Sequence, residues 1–232
     1  TLGREDLAIR GNFATIDRDR IVTDRRAGRI PTEESAKLVE FIQAEIPEIR
    51  GVRITIRPVK EHRCAIVLNG PGLSSALHTN DPEKEGQPLG VIRAADPGAE
   101  STAAILSEYL ARVEELLRKR HAKAGTILMR GFSKLPSIPT FAEKYRLKAA
   151  CIATYPMYRG LAALVGMDII PCGETLDDQI ETLARVRKDY TFVFLHFKKT
   201  DALGEDGNFT GKVRILEDVD RRIMQIRAIP FD

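Results

Sequence analysis

The hydrophobic and polar positions in the first half of the chain predict a unit of mixed α and β structure. Apolar residues that alternate with polar ones indicate half-buried strands, and apolar residues at helical spacing indicate helices with one buried face. Thr32 and Ser101 each precede such a helical spacing, and both are residue types that cap helix N-termini. The predicted strands cover residues 7–15, 52–57, 64–68 and 126–129, and the predicted helices run from Thr32 to Pro47 and from Ser101 to about Arg120.

A turn near residues 58–61 makes the second and third of these strands a predicted hairpin. The segment that follows, residues 69–98, is rich in Gly, Pro, Asn and Asp and predicts a long loop. A loop of this length inside a compact domain usually has a functional reason. Residues 74–87 within it are therefore candidates for polar contacts or a hinge, with a plain surface loop as the alternative.

The second half of the chain alternates short, nearly continuous apolar strands with helical segments. This pattern predicts an α/β fold in which a parallel sheet carries helices on its faces. Asn208 is the predicted N-cap of the last helix, whose apolar stripe contains Phe209, Val213, Leu216, Val219 and Ile223. The predicted strands cover residues 148–153, 168–170 and 190–197, and the earlier helices cover residues 157–165 and 176–188.

Two units are expected, because a proline-containing linker near residues 131–141 separates the two patterns. We place them at residues 1–133 and 134–232. The second unit has too few strands to close a stable doubly wound sheet, and the first residue is Thr1 rather than Met. We therefore expect this chain to be a piece of a longer protein.

Composition narrows the class of protein. Hydrophobic residues make up 43% of the chain and charged residues 30%, which is typical of a soluble globular protein without a membrane span. Three widely spaced cysteines give neither a disulfide framework nor a zinc site, so a reducing, cytoplasmic setting is expected. The net charge of +3 comes from interleaved charges, and aromatic residues are only 6%. Small anionic ligands fit this balance better than a nucleic acid does.

An acidic pair follows the most hydrophobic strand. Asp201 and Glu205 lie four residues apart in a predicted loop, and two carboxylates so placed can point at one hard cation. The alternative is that residues 205–207 form a solvated turn that caps the next helix.

A dense group of arginines lies in the first half. The planar guanidinium matches phosphate and carboxylate oxygens bidentately, and a ligand with both groups needs several arginines on one wall. The alternative is an exposed hairpin in which Asp17, Asp19 and Asp24 pair with the arginines. The group comprises Arg18, Arg20, Arg25, Arg26 and Arg29, with Arg10 and Arg63 on neighbouring strands.

Several segments together resemble the archaeal-type 2,3-bisphosphoglycerate-independent phosphoglycerate mutases. The resemblance covers essentially the whole chain, and the arginine-rich and acidic segments are specific in combination. The segments are residues 6–15 (DLAIRGNFAT), 24–30 (DRRAGRI), 141–150 (FAEKYRLKAA), 159–162, 166–168 and 198–209 (KKTDALGEDGNF).

The resemblance implies a catalytic domain of the alkaline phosphatase superfamily, interrupted by an inserted domain that clamps the substrate. In this family two divalent cations activate a serine, which takes the phosphoryl group of 3-phosphoglycerate and returns it as 2-phosphoglycerate. Manganese is the expected metal, with magnesium, cobalt or zinc as alternatives, and no bisphosphoglycerate is needed. Residues 1–133 would then be the inserted substrate-binding domain, and residues 134–232 part of the metal-binding catalytic domain with its parallel sheet and helices on both faces.

The resemblance also assigns roles to residues. Asp201 would bind a metal ion, and so would Glu205, although the superfamily often has histidine at that position. The expected substrate-binding residues are Arg10, Arg25, Arg26, Arg29 and Arg63, together with Lys144 or Lys148 just after the linker. In the loop that contains Asp81 and Pro82, Glu83 stands where the family often has histidine, which leaves the role of that loop open.

Segments that match the serine nucleophile and most of the family's metal ligands are not found in the sequence. The isolated chain is therefore expected to be inactive. Two other functions stay open: a metal-dependent phosphatase or phosphonate-processing enzyme of the same superfamily, and a non-catalytic module that binds a phosphorylated ligand. The expected partner is small-molecule phosphoglycerate, with neither nucleic acid nor membrane, and the sequence does not set the oligomeric state.

Overall fold

The structure is a computed structural model that describes residues 2–205 and 207–230. The chain forms two compact units, Thr1–Pro136 and Ser137–Asp232. In the first unit the strands are β1 (Leu7–Ile16), β2 (Ile21–Asp24), β3 (Glu48–Ile49), β4 (Val52–Pro58), β5 (Arg63–Asn69), β6 (Leu77–His78), β7 (Gln87–Pro88), β8 (Arg93–Ala94) and β9 (Thr126–Ser133), and the helices are α1 (Thr32–Glu45) and α2 (Glu100–Arg118). In the second unit the order is α3 (Phe141–Tyr145), β10 (Ala149–Ala153), α4 (Pro156–Leu164), β11 (Asp168–Ile169), α5 (Leu176–Val186), β12 (Phe192–His196), α6 (Lys199–Glu205) and α7 (Phe209–Ala228).

The first unit is built on a seven-stranded sheet with the order β3-β4-β5-β1-β2-β7, in which β9 also pairs with β1. The predicted hairpin is confirmed, because β4 and β5 pair antiparallel with Ile56 opposite Ile66. Strand β1 lies between β5 and β9 and is antiparallel to both. The middle of the sheet is therefore where side chains from three strands meet.

Alternation along β1 separates the two faces of this sheet. Leu7, Ile9 and Phe13 are almost completely buried and join the main core. Helix α1 packs on β4 and helix α2 on β9, so both helices cover the core face. Because successive side chains of a strand point to opposite faces, Arg10 and Asn12 lie on the other face. That face carries the candidate site.

Two helix starts and the long loop differ from the prediction. Pro31 is the N-cap of α1, and the Thr32 hydroxyl instead accepts a hydrogen bond from the Glu61 backbone N–H at 3.0 Å. Helix α2 begins at Glu100 after a short 3-10 turn, without a side-chain cap from Ser101. Residues 69–98 contain three two-residue strands, since β7 pairs with β2 and β6 with β8.

The second unit contains a three-stranded parallel sheet with the order β11-β10-β12. The predicted parallel arrangement is confirmed by the register, in which Cys151 lies opposite both Ile169 and Phe194. The predicted cap is also confirmed, since the Asn208 side chain accepts a hydrogen bond from the Gly211 backbone N–H at 2.9 Å.

Helix α7 exists as predicted, but its apolar stripe is not covered. No described side chain of α7 is buried, and Phe209 is 78% exposed. In the part of the chain that the structure describes, no helix is both long and apolar enough to cross a membrane.

Candidate functional site

Three strands bring polar side chains together on the face of the first sheet that is opposite the main core. Arg10 of β1 lies directly across from Arg130 of β9. Asn12, two residues further along β1, lies across from Arg63 of β5. Directly opposed residues of antiparallel strands point to the same face. The middle of this face therefore presents three arginines and one buried amide.

A left-handed turn after β2 positions two more arginines. The backbone φ angles are 48° at Ala27, 65° at Gly28 and 52° at Arg29. Residues other than glycine rarely adopt such angles, at a cost of about 1–2 kcal/mol each. The Asp24 carboxylate stabilises the turn by accepting hydrogen bonds from the backbone N–H groups of Arg26 at 2.7 Å and Gly28 at 2.6 Å. Strain of this kind concentrates at functional sites, and here the turn fixes the backbone positions from which the Arg26 and Arg29 side chains extend.

The carboxylate of Asp81 anchors two arginines from distant parts of the chain. Arg25 donates to it twice, from Nε at 3.1 Å and from a terminal nitrogen at 2.8 Å, and Arg130 approaches it at 3.5 Å. The Asp81 side chain is only 1% exposed. Burial alone would raise its pKa, but hydrogen bonds from Arg25 and the Glu83 backbone together with the charges of Arg25 and Arg130 lower the pKa below its usual value.

The segment around Asp81 is held against the edge of β9. The Asn80 side chain is fully buried, donates to the Ile127 carbonyl at 3.0 Å and accepts from the Met129 N–H at 2.6 Å. The Thr79 hydroxyl donates to the Met129 carbonyl at 2.6 Å. Gly90 permits close approach, because a Cβ there would lie 3.0 Å from the Asn80 backbone. Residues 79–81 are thus an ordered support for the arginines and not a plain surface loop, whereas residues 83–88 are exposed.

His62 is a buried histidine whose pKa responds to the charges of nearby arginines. His62 is 1% exposed, and its burial lowers its pKa to about 4. The positive charge of Arg63 lowers this pKa further, as do the charges of Arg26 and Arg29. These three positive charges thus act on one imidazole, against the opposing charge of Glu61. Arg63 also pairs with Glu61 at 2.9 Å, which holds its guanidinium in place.

Two acids of the β1–β2 hairpin, Asp17 and Asp24, accept hydrogen bonds from backbone N–H groups. Asp17 accepts from the backbone N–H groups of Asp19 at 3.0 Å and Ile21 at 2.8 Å, while Asp24 binds the backbone as described above. Arg20 forms a bidentate pair with Glu114 instead, at 2.8 and 3.2 Å. Asp17 and Asp24 thus shape the backbone, and Arg20 and Arg25 take their partners, Glu114 and Asp81, from elsewhere in the fold.

The acidic pair of the second unit lies on a short helix, α6, and not in the predicted loop. Asp201 and Glu205 are both exposed and one helical turn apart, and Lys198 forms an ion pair with Asp201. Carboxylate oxygens suit a hard divalent cation. Among residues 2–205 and 207–230, however, no group of three potential ligands comes together, so these two can form only part of a metal site. Asp206, which the sequence places in the same segment, lies outside the described residues.

The two predicted lysines of the second unit lie beside tyrosines. The Lys144 ammonium lies 5.4 Å from the Tyr145 ring centre, and that of Lys148 lies 4.9 Å from the Tyr190 ring centre. These are cation–π contacts. The role of both lysines in substrate binding stays a prediction.

Comparison with known proteins decides the family. The family model for 2,3-bisphosphoglycerate-independent phosphoglycerate mutase matches residues 1–122. The chain belongs to this phosphoglycerate mutase family. It is 47% identical over 231 residues to a Thermotoga neapolitana protein described as "Probable 2,3-bisphosphoglycerate-independent phosphoglycerate mutase", with 100% of this chain and 57% of that protein covered. A relative from Aquifex aeolicus with the same description is 46% identical over 236 residues, covering 98% of this chain and 58% of its own length.

Comparison with solved structures gives one further match in the phosphoglycerate mutase family and one match in fold. A cofactor-independent phosphoglycerate mutase from Thermoplasma acidophilum matches with a TM-score of 0.62 and 30% identity, over 97% of this chain and 62% of that one. The PH0037 protein from Pyrococcus horikoshii shares the fold, with a TM-score of 0.73 and 24% identity over 99% of this chain and 56% of its own. The chain thus spans little more than half the length of the Thermotoga and Aquifex relatives in the phosphoglycerate mutase family.

Sequence reasoning missed four residues at or beside the arginine cluster. Asp81, Arg130, Asn12 and His62 come from segments far apart in the chain. Strand register brings Arg130 and Asn12 into the cluster. Alternation alone predicts only which face of the sheet each side chain lies on. The one available signal was the Asp81–Pro82 pair in a long polar segment. This pair predicts a turn but does not show which residues Asp81 binds.

Proposed function

We propose that the first unit binds the substrate of a bisphosphoglycerate-independent phosphoglycerate mutase, and that the second unit is part of its metal-binding catalytic domain. The observation that carries this proposal is that Arg10, Arg63 and Arg130 meet on one face of the sheet, where the buried Asp81 holds Arg25 and Arg130. The substrate would be 3-phosphoglycerate, which carries a phosphate and a carboxylate at opposite ends. Such a ligand needs several guanidinium groups on one surface, which this face provides.

The arginines differ in how they would act. Arg25 uses two of its donors on Asp81, so it would contribute mainly positive charge and its remaining donor. The side chains of Arg26 and Arg29 extend from the strained turn and would bind the anionic groups of the ligand directly. Arg10 and Arg63, which lie on strands of the sheet, would bind the ligand from the sheet side of the site. Phosphoryl transfer depends mostly on positioning and on neutralising charge, and these side chains supply both.

The second unit would contribute metal ligands. Asp201 and Glu205 offer the oxygen donors that manganese and other hard divalent cations bind, and further ligands would have to come from outside the described residues. When bound, such ions lower the pKa of a nucleophilic oxygen and neutralise charge on the phosphoryl group. Lys144 or Lys148 would add positive charge for the phosphate. The free cysteines support a cytoplasmic location, where thiols stay reduced.

Ligand binding to the chain tests the proposal. We expect isothermal titration calorimetry to detect 3-phosphoglycerate, and we expect Arg26→Glu to abolish the signal because it places a negative charge within the cluster. Arg118→Glu is the matched control, since Arg118 is exposed at the end of α2, which packs on the core face of the sheet. The proposal fails if Arg26→Glu binds as tightly as the control.

A further inference from the structure

The loop that joins α2 to β9 lies against the strained turn from which Arg26 and Arg29 extend. A Cβ atom at Gly28 would lie 3.0 Å from Lys123 Cδ and 3.2 Å from Lys123 Nζ, so this lysine side chain crosses directly over the glycine. Gly28 is the middle residue of the left-handed turn. The middle of the turn is therefore covered by a side chain from a distant part of the chain.

His121 holds this loop in shape and ties it to helix α1. Its Nδ1 atom accepts hydrogen bonds from the backbone N–H groups of Lys123 at 3.0 Å and Ala124 at 2.8 Å. The ring proton therefore lies on Nε2, which donates at 2.6 Å to a carboxylate oxygen of Glu34 in the first turn of α1. The Thr15 hydroxyl donates to the Lys123 carbonyl at 2.6 Å, near the end of β1. The loop is thus anchored to elements that precede and follow the turn in the chain.

A cavity of about 210 Å³ lies between this loop and the segment that leads from the turn into α1. Residues between 28 and 34 line one side, and residues 121–123 line the other. Because the two backbones do not pack directly on each other there, the contact depends on the side chains of His121 and Lys123. Lys123 is exposed, the His121 side chain is 13% exposed, and neither belongs to the main hydrophobic core. Their replacement should therefore release the turn and leave the core intact.

The other contacts of the turn are local or lie at its start. Ala27 is buried in the main core, and the Asp24 carboxylate accepts from the N–H groups of Arg26 and Gly28. Asp24 belongs to the same hairpin, so it stabilises the shape of the turn but not the position of its exposed half. Strained backbone persists only where the surrounding structure holds it in several ways. Lys123 supplies a contact with the exposed half from outside the hairpin.

We propose that His121 and Lys123 are positioning residues of the arginine site. They hold the turn of residues 27–29 in the place from which Arg26 and Arg29 reach the ligand, and they need not touch the ligand themselves. The inference rests on the proposed function, because those two arginines must bind the anionic groups. A turn that has the binding conformation only a tenth to a third of the time raises the apparent Kd about three- to tenfold. We expect a loss of affinity of this size when either side chain is removed.

Two measurements on the 232-residue chain test the inference. Hydrogen exchange, followed by mass spectrometry on peptides that cover residues 24–31, reports the turn without any ligand, since its N–H groups are protected only while it is formed. Calorimetry with 3-phosphoglycerate reports the arginines. We expect His121→Ala and Lys123→Ala to speed exchange in residues 24–31, to leave exchange in the β4–β5 hairpin unchanged, and to raise the Kd about three- to tenfold.

Two further variants separate positioning from charge and from general loosening. Lys123→Met removes the ammonium but keeps an unbranched side chain over Gly28, so it should bind 3-phosphoglycerate nearly as well as the wild type. Lys119→Ala is the matched control, because it removes a lysine that is 69% exposed and pairs with Glu115 at the end of α2. It should change neither exchange in residues 24–31 nor affinity. Lys123→Ala alters only an exposed side chain, so the test does not depend on the folding of His121→Ala.

Each failure has its own signature. Unchanged exchange in residues 24–31 of both alanine variants overturns the inference, and so does faster exchange throughout the chain. Faster exchange of the turn with unchanged affinity overturns the positioning role and leaves the arginine site standing. An equal loss of affinity in Lys123→Met and Lys123→Ala also overturns it, because the lysine would then act through its charge. If the wild-type chain does not bind 3-phosphoglycerate, the proposed function fails and the positioning role fails with it.

Discussion

The ion pairs of Asp81 hold the arginine site together, and Asp81→Asn should show how strongly. The substitution keeps the shape of the side chain and removes its charge, which leaves Arg25 and Arg130 without their shared counter-charge. Breaking a fully buried ion pair costs about 3–5 kcal/mol. The Arg25 side chain is 25% exposed and that of Arg130 is 33% exposed, so solvent offsets part of this loss. We therefore expect the free energy of unfolding to fall by about 2–3 kcal/mol.

Urea unfolding of both proteins at several pH values measures this effect. Because the pKa of Asp81 in the folded chain is lowered, its stabilisation is present above the ordinary carboxyl pKa and is lost as pH falls through the folded pKa. The difference between wild type and Asp81→Asn should thus be constant near neutral pH and shrink at strongly acidic pH. Glu83→Gln removes the same charge from an exposed side chain two residues away and should change stability by less than about 0.5 kcal/mol. Equal effects of the two substitutions would refute the role given to Asp81.

Three further predictions follow from buried or charged groups. The pKa of His62 is about 4 in the folded chain against 6.5 ordinarily, so the unfolding free energy should drop by about 2 kcal/mol between pH 7 and pH 5 as the unfolded state gains a proton. Urea unfolding at the two pH values should show a smaller drop in His62→Gln. The control His78→Asn, at an exposed histidine, should show the same drop as the wild type. The Tyr109 hydroxyl is buried without a partner in the described structure, so Tyr109→Phe should raise the melting temperature or leave it unchanged, and a clear decrease would reveal a hidden partner. Asp201→Asn, made in the protein encoded by the complete reading frame, should weaken manganese binding and lower mutase activity by orders of magnitude; unchanged metal stoichiometry would remove Asp201 from the ligand set.

Local patterns predicted the parts of the fold that local physics determines. Alternation located β1, β4 and β5, since burial of every second side chain is visible in the sequence itself. The Asn208 cap was equally visible, because the capping side chain binds a backbone group only three residues away. The parallel sheet of the second unit followed from the alternation of strands and helices.

The parts that were missed depend on contacts between distant residues. Arg25 and Asp81 are 56 residues apart, so no spacing rule links them. Thr32 has the residue type of a cap, but its hydroxyl is bound to Glu61 instead. The acidic pair has the spacing of a helical turn, and the structure places it on α6 where a loop was expected. The density of arginines was visible in the sequence, whereas the residues that position them were not.

The central claim is that this arginine surface serves a phosphoglycerate mutase, and a turnover assay tests it most directly. The protein encoded by the complete reading frame is incubated with 3-phosphoglycerate and manganese, without bisphosphoglycerate, and the products are followed by phosphorus NMR. The account predicts 2-phosphoglycerate with little free phosphate, dependence on the metal, and loss of turnover in Arg26→Glu but not in Arg118→Glu. Accumulation of inorganic phosphate without the isomer would contradict it in favour of a phosphatase, and bound ligand without turnover would contradict it in favour of a binding module.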